Sequence, residues 1–200
     1  MKYFLPLIIA FSIFINPLNT LAEELILAGG CFWCLEHDLE YLKGINFVKS
    51  GYSGGDLQNP TYENHVGHQE VVLVNYESKL VSLPEILRLY LRNIDPLDGK
   101  GQFCDRGDSY RPVIFYKDPI EKSDAKKALI SASNELLVPL EKISVELKLK
   151  GQFWLAEEYH QDFAERNELK YKFYRFSWGR DQRLDKLWGD NARSTNLWNE

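Results

Sequence analysis

The sequence predicts an α+β fold, a two-layer sandwich in which helices cover one face of a mixed β-sheet. The first observation is the order of the predicted elements, which is strand, helix, strand, strand, helix, strand, helix and strand. The second is the composition, because 44% of the 200 residues are apolar and 26% are charged. That balance is enough for a packed core and is not typical of a disordered chain.

The first third of the chain predicts a strand, a helix, a second strand and a long loop. Four apolar residues at 25–28 predict a short buried strand, and two glycines follow it. Leucines at helical spacing predict a helix that begins near Cys31 and ends before Gly44. A second strand is predicted over 45–52. Residues 53–69 are rich in Gly, Asn, Pro and His, and such a long loop in a compact domain is usually functional.

The middle of the chain continues with alternating strands and helices. A continuous apolar run at 71–74 predicts a strand. Ser82 and Glu85 stand at capping-box spacing and predict the start of a helix. A further strand is predicted over 112–116, and Asp118 followed by proline predicts a helix that runs to about Leu137.

The last part of the chain is less regular. Apolar and polar residues alternate over 143–149 and predict a strand with one solvated face. A helix is predicted over 156–167. The residues after 167 are aromatic and basic without a clear period, so no element is predicted there.

Net charge and cysteine content exclude two classes of protein. The 24 basic and 29 acidic residues give a net charge of -5, which argues against a nucleic-acid-binding protein. Three cysteines are too few for a disulfide-rich scaffold.

The N-terminus has the pattern of an export signal. Lys2 precedes an almost wholly apolar stretch at 3–15, and Thr20-Leu21-Ala22 is a small-x-small cleavage pattern. The stretch is shorter than the roughly 20 residues that span a bilayer. We therefore expect a signal peptide at 1–22, a single catalytic domain at 23–200, export to a periplasm and no stable membrane association after cleavage. An uncleaved anchor, or a hydrophobic arm of the fold, is the alternative.

Two cysteines one helical turn apart form the most informative feature. Cys31 follows two glycines at a predicted helix start, where the helix dipole favours an anion, so we expect the pKa of its thiol to be lowered. Cys34 lies on the same side of the helix, and a Cα separation of about 5 Å suits a disulfide. One thiol can therefore attack a substrate and the other can attack the product formed on the first sulfur.

Other interpretations of the cysteines remain open at this point. The pair could be a static disulfide or two buried thiols. Cys31, Cys34, His65 and His68 could form a zinc site, although their spacing is unusual for one. A general thiol–disulfide oxidoreductase of the CxxC type is a further alternative.

The segment Gly30-Cys31-Phe32-Trp33-Cys34 resembles the active-site motif of A-type peptide methionine sulfoxide reductases, in the form that carries a second cysteine. Six more segments resemble the family in the same order, over roughly residues 25–165. They are Gly51–Gly55, Asn59–Tyr62, Gly67–Val72, Asp95-Pro96, Asp105–Arg111 and Glu158–Gln161. We expect a ferredoxin-like core with extra loops and a C-terminal extension.

The resemblance implies that Cys31 is the nucleophile that attacks the sulfoxide sulfur and that Glu70 is the acid. A carboxyl group donates a proton at neutral pH only when its pKa is raised. We therefore expect Glu70 to be buried, because removal from water favours the protonated form.

The resemblance also implies the residues that hold the substrate. Tyr52 and Tyr110 match hydroxyl groups that bind the sulfoxide oxygen, and Asp105 matches a polar residue of the pocket. Phe32 and Trp33 match the apolar wall against the substrate methyl group, which also suits contact between sulfur and aromatic rings.

The chain has no cysteine after Cys104, whereas many members of that family resolve the intermediate with cysteines in a C-terminal tail. We therefore expect a Cys31 sulfenic acid to condense with Cys34 into a disulfide, with Cys104 as the alternative partner. The implied activity is reduction of methionine S-sulfoxide, free or in peptides and proteins, for the repair of oxidised exported proteins. We expect no bound cofactor, a thioredoxin-like dithiol donor and a monomer.

Overall fold

The computed structural model describes residues 22–198 and contains a six-stranded mixed sheet with helices. The predicted signal peptide lies outside the described residues, except that Ala22 begins the first strand. The strands are β1 (Ala22–Ala28), β2 (Ile45–Ser53), β3 (Gln69–Glu77), β4 (Gly101–Gln102), β5 (Asp105–Arg106), β6 (Val113–Tyr116), β7 (Glu146–Leu149) and β8 (Trp154–Leu155). The helices are α1 (Phe32–Glu40), α2 (Leu83–Leu91), α3 (Pro119–Glu135), α4 (Phe163–Arg166), α5 (Glu168–Ser177) and α6 (Arg180–Trp188).

The sheet order is β7-β6-β1-β3-β2-β8. Its four central strands are antiparallel neighbours and come from the unit β1-α1-β2-β3-α2-β6. This is the ferredoxin-like arrangement of two split βαβ units. β7 extends the sheet in parallel beside β6, and β8 extends it antiparallel to β2. The α+β class and the ferredoxin-like core are confirmed.

The main hydrophobic core lies between the sheet and the helices. Leu25, Leu27 and Val72 face it from the strands, while Leu35 and Leu87 face it from α1 and α2. The opposite face of the sheet carries a smaller cluster that includes Ile26, Val71 and Phe115. Alternate residues of β1 therefore bury on opposite faces, which explains its continuous apolar sequence.

Two predicted elements are wrong in extent. Of the strand predicted over 143–149, only β7 forms. Its residues are half-buried or exposed because it is the edge strand of the sheet. The helix predicted over 156–167 is a 3₁₀ turn at Glu158–His160 followed by α4. Asp162 separates the two with a left-handed φ of 52°, which an α-helix cannot include.

The helix starts differ in how they are capped. Asp118 accepts hydrogen bonds from the backbone N–H groups of Ile120 and Glu121, at 2.8 and 2.9 Å, and begins α3 as predicted. Ser82 stands at the N-cap of α2, but its side chain makes no capping hydrogen bond. The predicted capping box therefore marks the right position without forming the expected contacts.

The unassigned C-terminal residues form α5 and α6, which pack back onto the domain. Leu184 and Trp188 of α6 belong to the main core. The chain after α6 is held by Arg92, which is buried and paired with Glu135. Arg92 donates hydrogen bonds to the backbone carbonyls of Ser194, Asn196 and Leu197. Within residues 22–198, no helix is both long and apolar enough to cross a membrane.

Candidate active site

The turn between β1 and α1 brings Cys31 to the start of α1. Gly30 has a φ of 82°, in the left-handed region that favours glycine. A Cβ atom at Gly30 would lie 2.6 Å from the Cβ atom of Gln102, so a larger residue would not fit. Cys31 is then the N-cap residue of α1, and Phe32 is its first helical residue.

A cavity of about 240 Å³ opens beside this turn. Its walls combine one thiol, two carboxyl groups and six aromatic side chains. The lining residues are Cys31, Phe32, Trp33, Tyr62, Glu70, Asp105, Tyr110, Tyr174 and Trp178. Every predicted site residue except Cys34 and Tyr52 therefore lines this cavity.

Glu70 lies on β3 at the base of the cavity, and only 2% of it is exposed. Its Oε2 accepts a hydrogen bond of 3.1 Å from the backbone N–H of Phe32, and the Tyr110 hydroxyl also bonds to its carboxyl group. Burial raises its pKa to about 8, against these hydrogen bonds, which lower it. The expected burial of this carboxyl group is present, and it is protonated at neutral pH.

Asp105 lies on β5 at another wall of the cavity. The Tyr174 hydroxyl donates to its two carboxylate oxygens, at 3.3 and 3.1 Å, and the backbone N–H of Cys31 also bonds to it. Burial raises its pKa to about 6. The first two N–H groups of the α1 start, on Cys31 and Phe32, thus point to carboxyl groups rather than to a sulfur atom.

Cys31 and Cys34 are both free thiols, 5% and 2% exposed. Burial raises the pKa of Cys31 well above the ordinary thiol value, and Cys34 raises it further. The pKa of Cys34 is lowered, first because the Cys31 thiol donates a hydrogen bond to its sulfur. The predicted lowering of the Cys31 pKa is wrong, because the sulfur is desolvated and the helix N–H groups are already occupied.

Tyr52 is not among the residues that line the cavity, and its role in holding the substrate stays a prediction. It is directly opposite Glu70 in the pairing of β2 with β3, so the two residues are close. Its hydroxyl nevertheless donates a 2.9 Å hydrogen bond to Oε2 of Glu157. Tyr62 lines the cavity instead, and it belongs to the Asn59–Tyr62 segment that carries the family resemblance.

Glu157 and His160 hold two walls of the cavity in place. Glu157 Oε1 accepts a 2.9 Å hydrogen bond from the backbone N–H of Tyr62. His160 Nδ1 accepts a 3.0 Å hydrogen bond from Trp33 Nε1, and burial lowers the His160 pKa so that the ring is neutral. Phe163 stacks on Trp33 with ring centroids 3.7 Å apart. These residues fix the positions of Trp33 and Tyr62.

Sequence reasoning missed the C-terminal contribution to the cavity. Tyr174 and Trp178 come from α5 and the turn after it, where no element was predicted. The available signal was the helical spacing of Tyr171, Tyr174 and Trp178, which places three aromatic residues on one side of a helix.

The other candidate groups are not assembled at the cavity. Cys104 is exposed, and its thiol donates to the backbone carbonyl of Trp178 at 3.5 Å. His68 is held by the backbone of Gly55 and Leu57, so its ring nitrogens are occupied. In the described part of the chain, no three His, Cys, Asp or Glu side chains form a metal site. The zinc alternative is therefore not supported.

A reactive cysteine pair beside a protonated, buried carboxyl group defines a thiol-dependent oxidoreductase with an aromatic substrate pocket. Residues 23–192 match the model of the family described as peptide methionine sulfoxide reductase. The chain therefore belongs to the peptide methionine sulfoxide reductase family.

Individual relatives agree with this assignment. Peptide methionine sulfoxide reductase MsrA 2 of Caulobacter vibrioides is 45% identical over 172 residues, 84% of this chain and 86% of the relative. The MsrA/MsrB protein of Vibrio cholerae is 42% identical over 84% of this chain, which spans only 45% of that longer relative. The crystal structure of reduced Mxr1 from Saccharomyces cerevisiae is similar, with a TM-score of 0.68 and 28% identity over 74% of this chain and 86% of that one. Mxr1 has also been crystallised in complex with Trx2.

Proposed function

We propose that this chain reduces methionine sulfoxide, free or in peptides and proteins, with Cys31 as the nucleophile and Glu70 as the acid. The observation that carries the proposal is that both groups line one aromatic cavity, with the carboxyl group protonated at neutral pH. Breaking an S–O bond needs a nucleophile at sulfur and a proton for oxygen, and this cavity offers both.

The first step transfers the sulfoxide oxygen to Cys31. The Cys31 sulfur attacks the sulfoxide sulfur while Glu70 donates a proton to the oxygen and takes up the proton of the Cys31 thiol. The oxygen then forms a bond to the Cys31 sulfur, its bond to the methionine sulfur breaks, and methionine leaves while Cys31 remains as a sulfenic acid. The sulfoxide is reduced by two electrons and the cysteine is oxidised by two, so no other oxidant is required. Tyr62 and Tyr110 carry hydroxyl groups that can hold the oxygen, because both line the same cavity.

The aromatic wall gives the substrate its orientation. Phe32 and Trp33 face the cavity and offer an apolar surface to the methyl group and thioether sulfur. The two epimers are distinguished only when a third direction is also fixed, with the methyl group on this wall, the oxygen on Glu70 and the sulfur open to attack by Cys31. The S epimer is the substrate that the family resemblance implies.

The second step regenerates the enzyme through a disulfide. Cys34 lies on α1 within hydrogen-bond contact of Cys31, whereas the Cys104 side chain lines neither the cavity nor the space beside Cys34. The Cys34 sulfur attacks the Cys31 sulfenic acid, the S–S bond forms and water leaves. A thioredoxin-like dithiol then reduces the disulfide, in keeping with the yeast relative crystallised with Trx2.

The cellular setting is proposed from the sequence. The export-signal pattern at 1–22 favours a single mature domain at 23–200 in the periplasm, where it repairs oxidised exported proteins. The mature chain is then a monomer without stable membrane association, with no bound cofactor and no nucleic-acid partner.

The activity is tested with purified mature protein, a small dithiol and the two separated epimers of dabsyl-methionine sulfoxide. We expect turnover of the S epimer and none of the R epimer. Insulin disulfide reduction in a parallel assay measures general thiol–disulfide activity, which the burial of both thiols disfavours. Insulin reduction without sulfoxide reduction would contradict the proposal.

The resolving role is tested by Cys34→Ser. We expect this variant to release one methionine per enzyme and to stop there when thioredoxin is the only reductant, because its sulfenic acid has no neighbouring thiol. A Cys104→Ser variant is the matched control, and it should turn over normally. Continued multiple turnover of Cys34→Ser with thioredoxin would show that another thiol resolves the intermediate.

A further inference from the structure

Arg180, the first residue of α6, carries a buried charge that the catalytic steps above do not use. Only 2% of it is exposed, and its guanidinium lies over the ring of Phe103, 4.6 Å from the centroid. One guanidinium nitrogen, Nη2, donates a 2.6 Å hydrogen bond to the carbonyl of Asn93. Within residues 22–198, its Nε lies buried without any hydrogen-bond acceptor.

The acids around Arg180 are shared with a second guanidinium. Asp38 Oδ1 lies 2.6 Å from Arg175 Nη1, whereas Asp38 Oδ2 lies 3.5 Å from Arg180 Nη2. Asp181 also binds Arg175 and is half-exposed to water. Asp105 is a second buried carboxyl group near Arg180, which lowers its pKa, and both residues line one small cavity. Neither Asp38 nor Asp105 bonds to Arg180 Nε, so a further negative charge at that atom would supply the acceptor that it lacks.

Cys34 is the group that can supply this charge. Cys34 and Arg180 line the same small cavity of about 10 Å³, which is about the size of one water molecule. The neighbouring charges act on Cys34 in opposite directions, since Arg180 and Arg175 lower its pKa and Asp38 raises it. The other titratable groups that face Cys34 are Cys31, Glu70, Asp105, Tyr171 and Tyr174.

We propose that Arg180 is a positioning residue for the second step, in which its buried guanidinium holds the negative charge of the Cys34 thiolate that attacks the Cys31 sulfenic acid. This inference rests on the proposed function. In the step, the Cys34 sulfur forms a bond to the Cys31 sulfur and the S–O bond breaks. The hydroxide leaves as water after taking up one proton, so Cys34 is oxidised and the sulfenic sulfur is reduced.

The contribution of Arg180 becomes decisive only after Cys31 has been oxidised. Before oxidation, the Cys31 thiol donates a hydrogen bond to the Cys34 sulfur, which is the largest stabilisation of its charge. Oxygen transfer consumes that thiol. Arg180 and Arg175 both line the small cavity beside Cys34, but Arg175 is paired with Asp38 and Asp181. Arg180 Nε has no acceptor among the described residues, so Arg180 then carries the stabilisation. The C-terminal helix α6 thereby assists disulfide formation without touching the substrate.

The test separates the two steps in Arg180→Gln. Methionine release in a single turnover without reductant should stay within about twofold of wild type. Disulfide formation is measured at pH 7 as the loss of reactivity toward a sulfenic-acid trap, and its rate should fall about tenfold. The midpoint of the pH dependence of this rate should rise by about one unit. Equal slowing of both steps, or an unchanged midpoint, would overturn the proposal.

Three further variants keep the test decisive if Arg180→Gln folds poorly. Arg180→Lys retains the charge and should keep disulfide formation within about threefold of wild type. Asp38→Asn removes the acid that opposes the thiolate, so the midpoint should fall, and a rise would count against the proposal. Arg183→Gln is the matched control, because Arg183 is also on α6 but binds Asp95, and it should leave the midpoint unchanged. A disulfide that still forms in Cys34→Ser would overturn this inference as well, whereas absence of methionine release from the wild-type protein would refute the proposed function instead.

Discussion

Replacing Cys31 with serine is expected to reduce sulfoxide reduction by roughly 10⁴-fold or more, to background. A serine hydroxyl is a much weaker nucleophile at sulfur and cannot form the sulfenic acid that carries the oxygen. The fold should be retained, because the Cys31 side chain makes no helix-capping hydrogen bond. Methionine release in a single turnover measures the effect, and thermal unfolding checks the fold.

The matched control for this prediction is Cys104→Ser. Cys104 is exposed, and its thiol makes one weak contact, with the Trp178 carbonyl. Its replacement should leave both methionine release and disulfide formation unchanged. One methionine per enzyme from Cys31→Ser at the wild-type rate would remove Cys31 from the reaction and with it the proposed mechanism.

Glu70→Gln is expected to slow the first step by about 10²–10⁴-fold, the usual contribution of a general acid. Glutamine has the same shape and can still accept the hydrogen bond from the Phe32 N–H, so the start of α1 is preserved. It cannot transfer a proton to the sulfoxide oxygen. Disulfide formation, measured after the sulfenic acid has been produced, should slow less than methionine release.

The pH dependence gives an independent test of the same residue. The Glu70 pKa is raised to about 8, so the acid is present below this pH and is lost as the pH rises through it. The ratio of the wild-type rate to the Glu70→Gln rate should be constant below about pH 8 and should then fall about tenfold per unit. The Cys31 thiol titrates in both proteins, but ionised Glu70 raises its pKa in the wild type only, which adds to the fall of the ratio above about pH 8. A ratio that is flat from pH 6 to 10 would exclude Glu70 as the acid.

The predicted core elements were largely correct because their signals are local. The apolar runs in β1 and β3, and the proline and aspartate at the start of α3, lie within the elements that they specify. The helix predicted over 156–167 is wrong because contacts with distant residues override its local signal. Its composition suits a helix, but the contacts of Glu157 and His160 with Tyr62 and Trp33 hold the segment as a turn.

The chemistry of the site was predicted less evenly. The family resemblance marks Glu70 as the acid among other carboxyl groups, and its burial was expected because such an acid must keep its proton at neutral pH. Tyr52 and Tyr62 both lie in segments that resemble the family, so the sequence offers no local reason to choose between them. Only the hydrogen bond from Tyr52 to Glu157, 105 positions away, shows which hydroxyl is already used.

The sequence by itself determined the strands and helices whose signals are local, and its resemblance to a known family indicated the ferredoxin-like core and the pairing of Cys31 with Glu70. The tertiary structure decided the charge state of the thiols and the C-terminal wall of the cavity. A pKa depends on the water that is excluded and on charges brought near, and these come from distant segments. Tyr174 reaches Asp105 from 69 positions away, and Arg180 reaches the Asn93 carbonyl from 87.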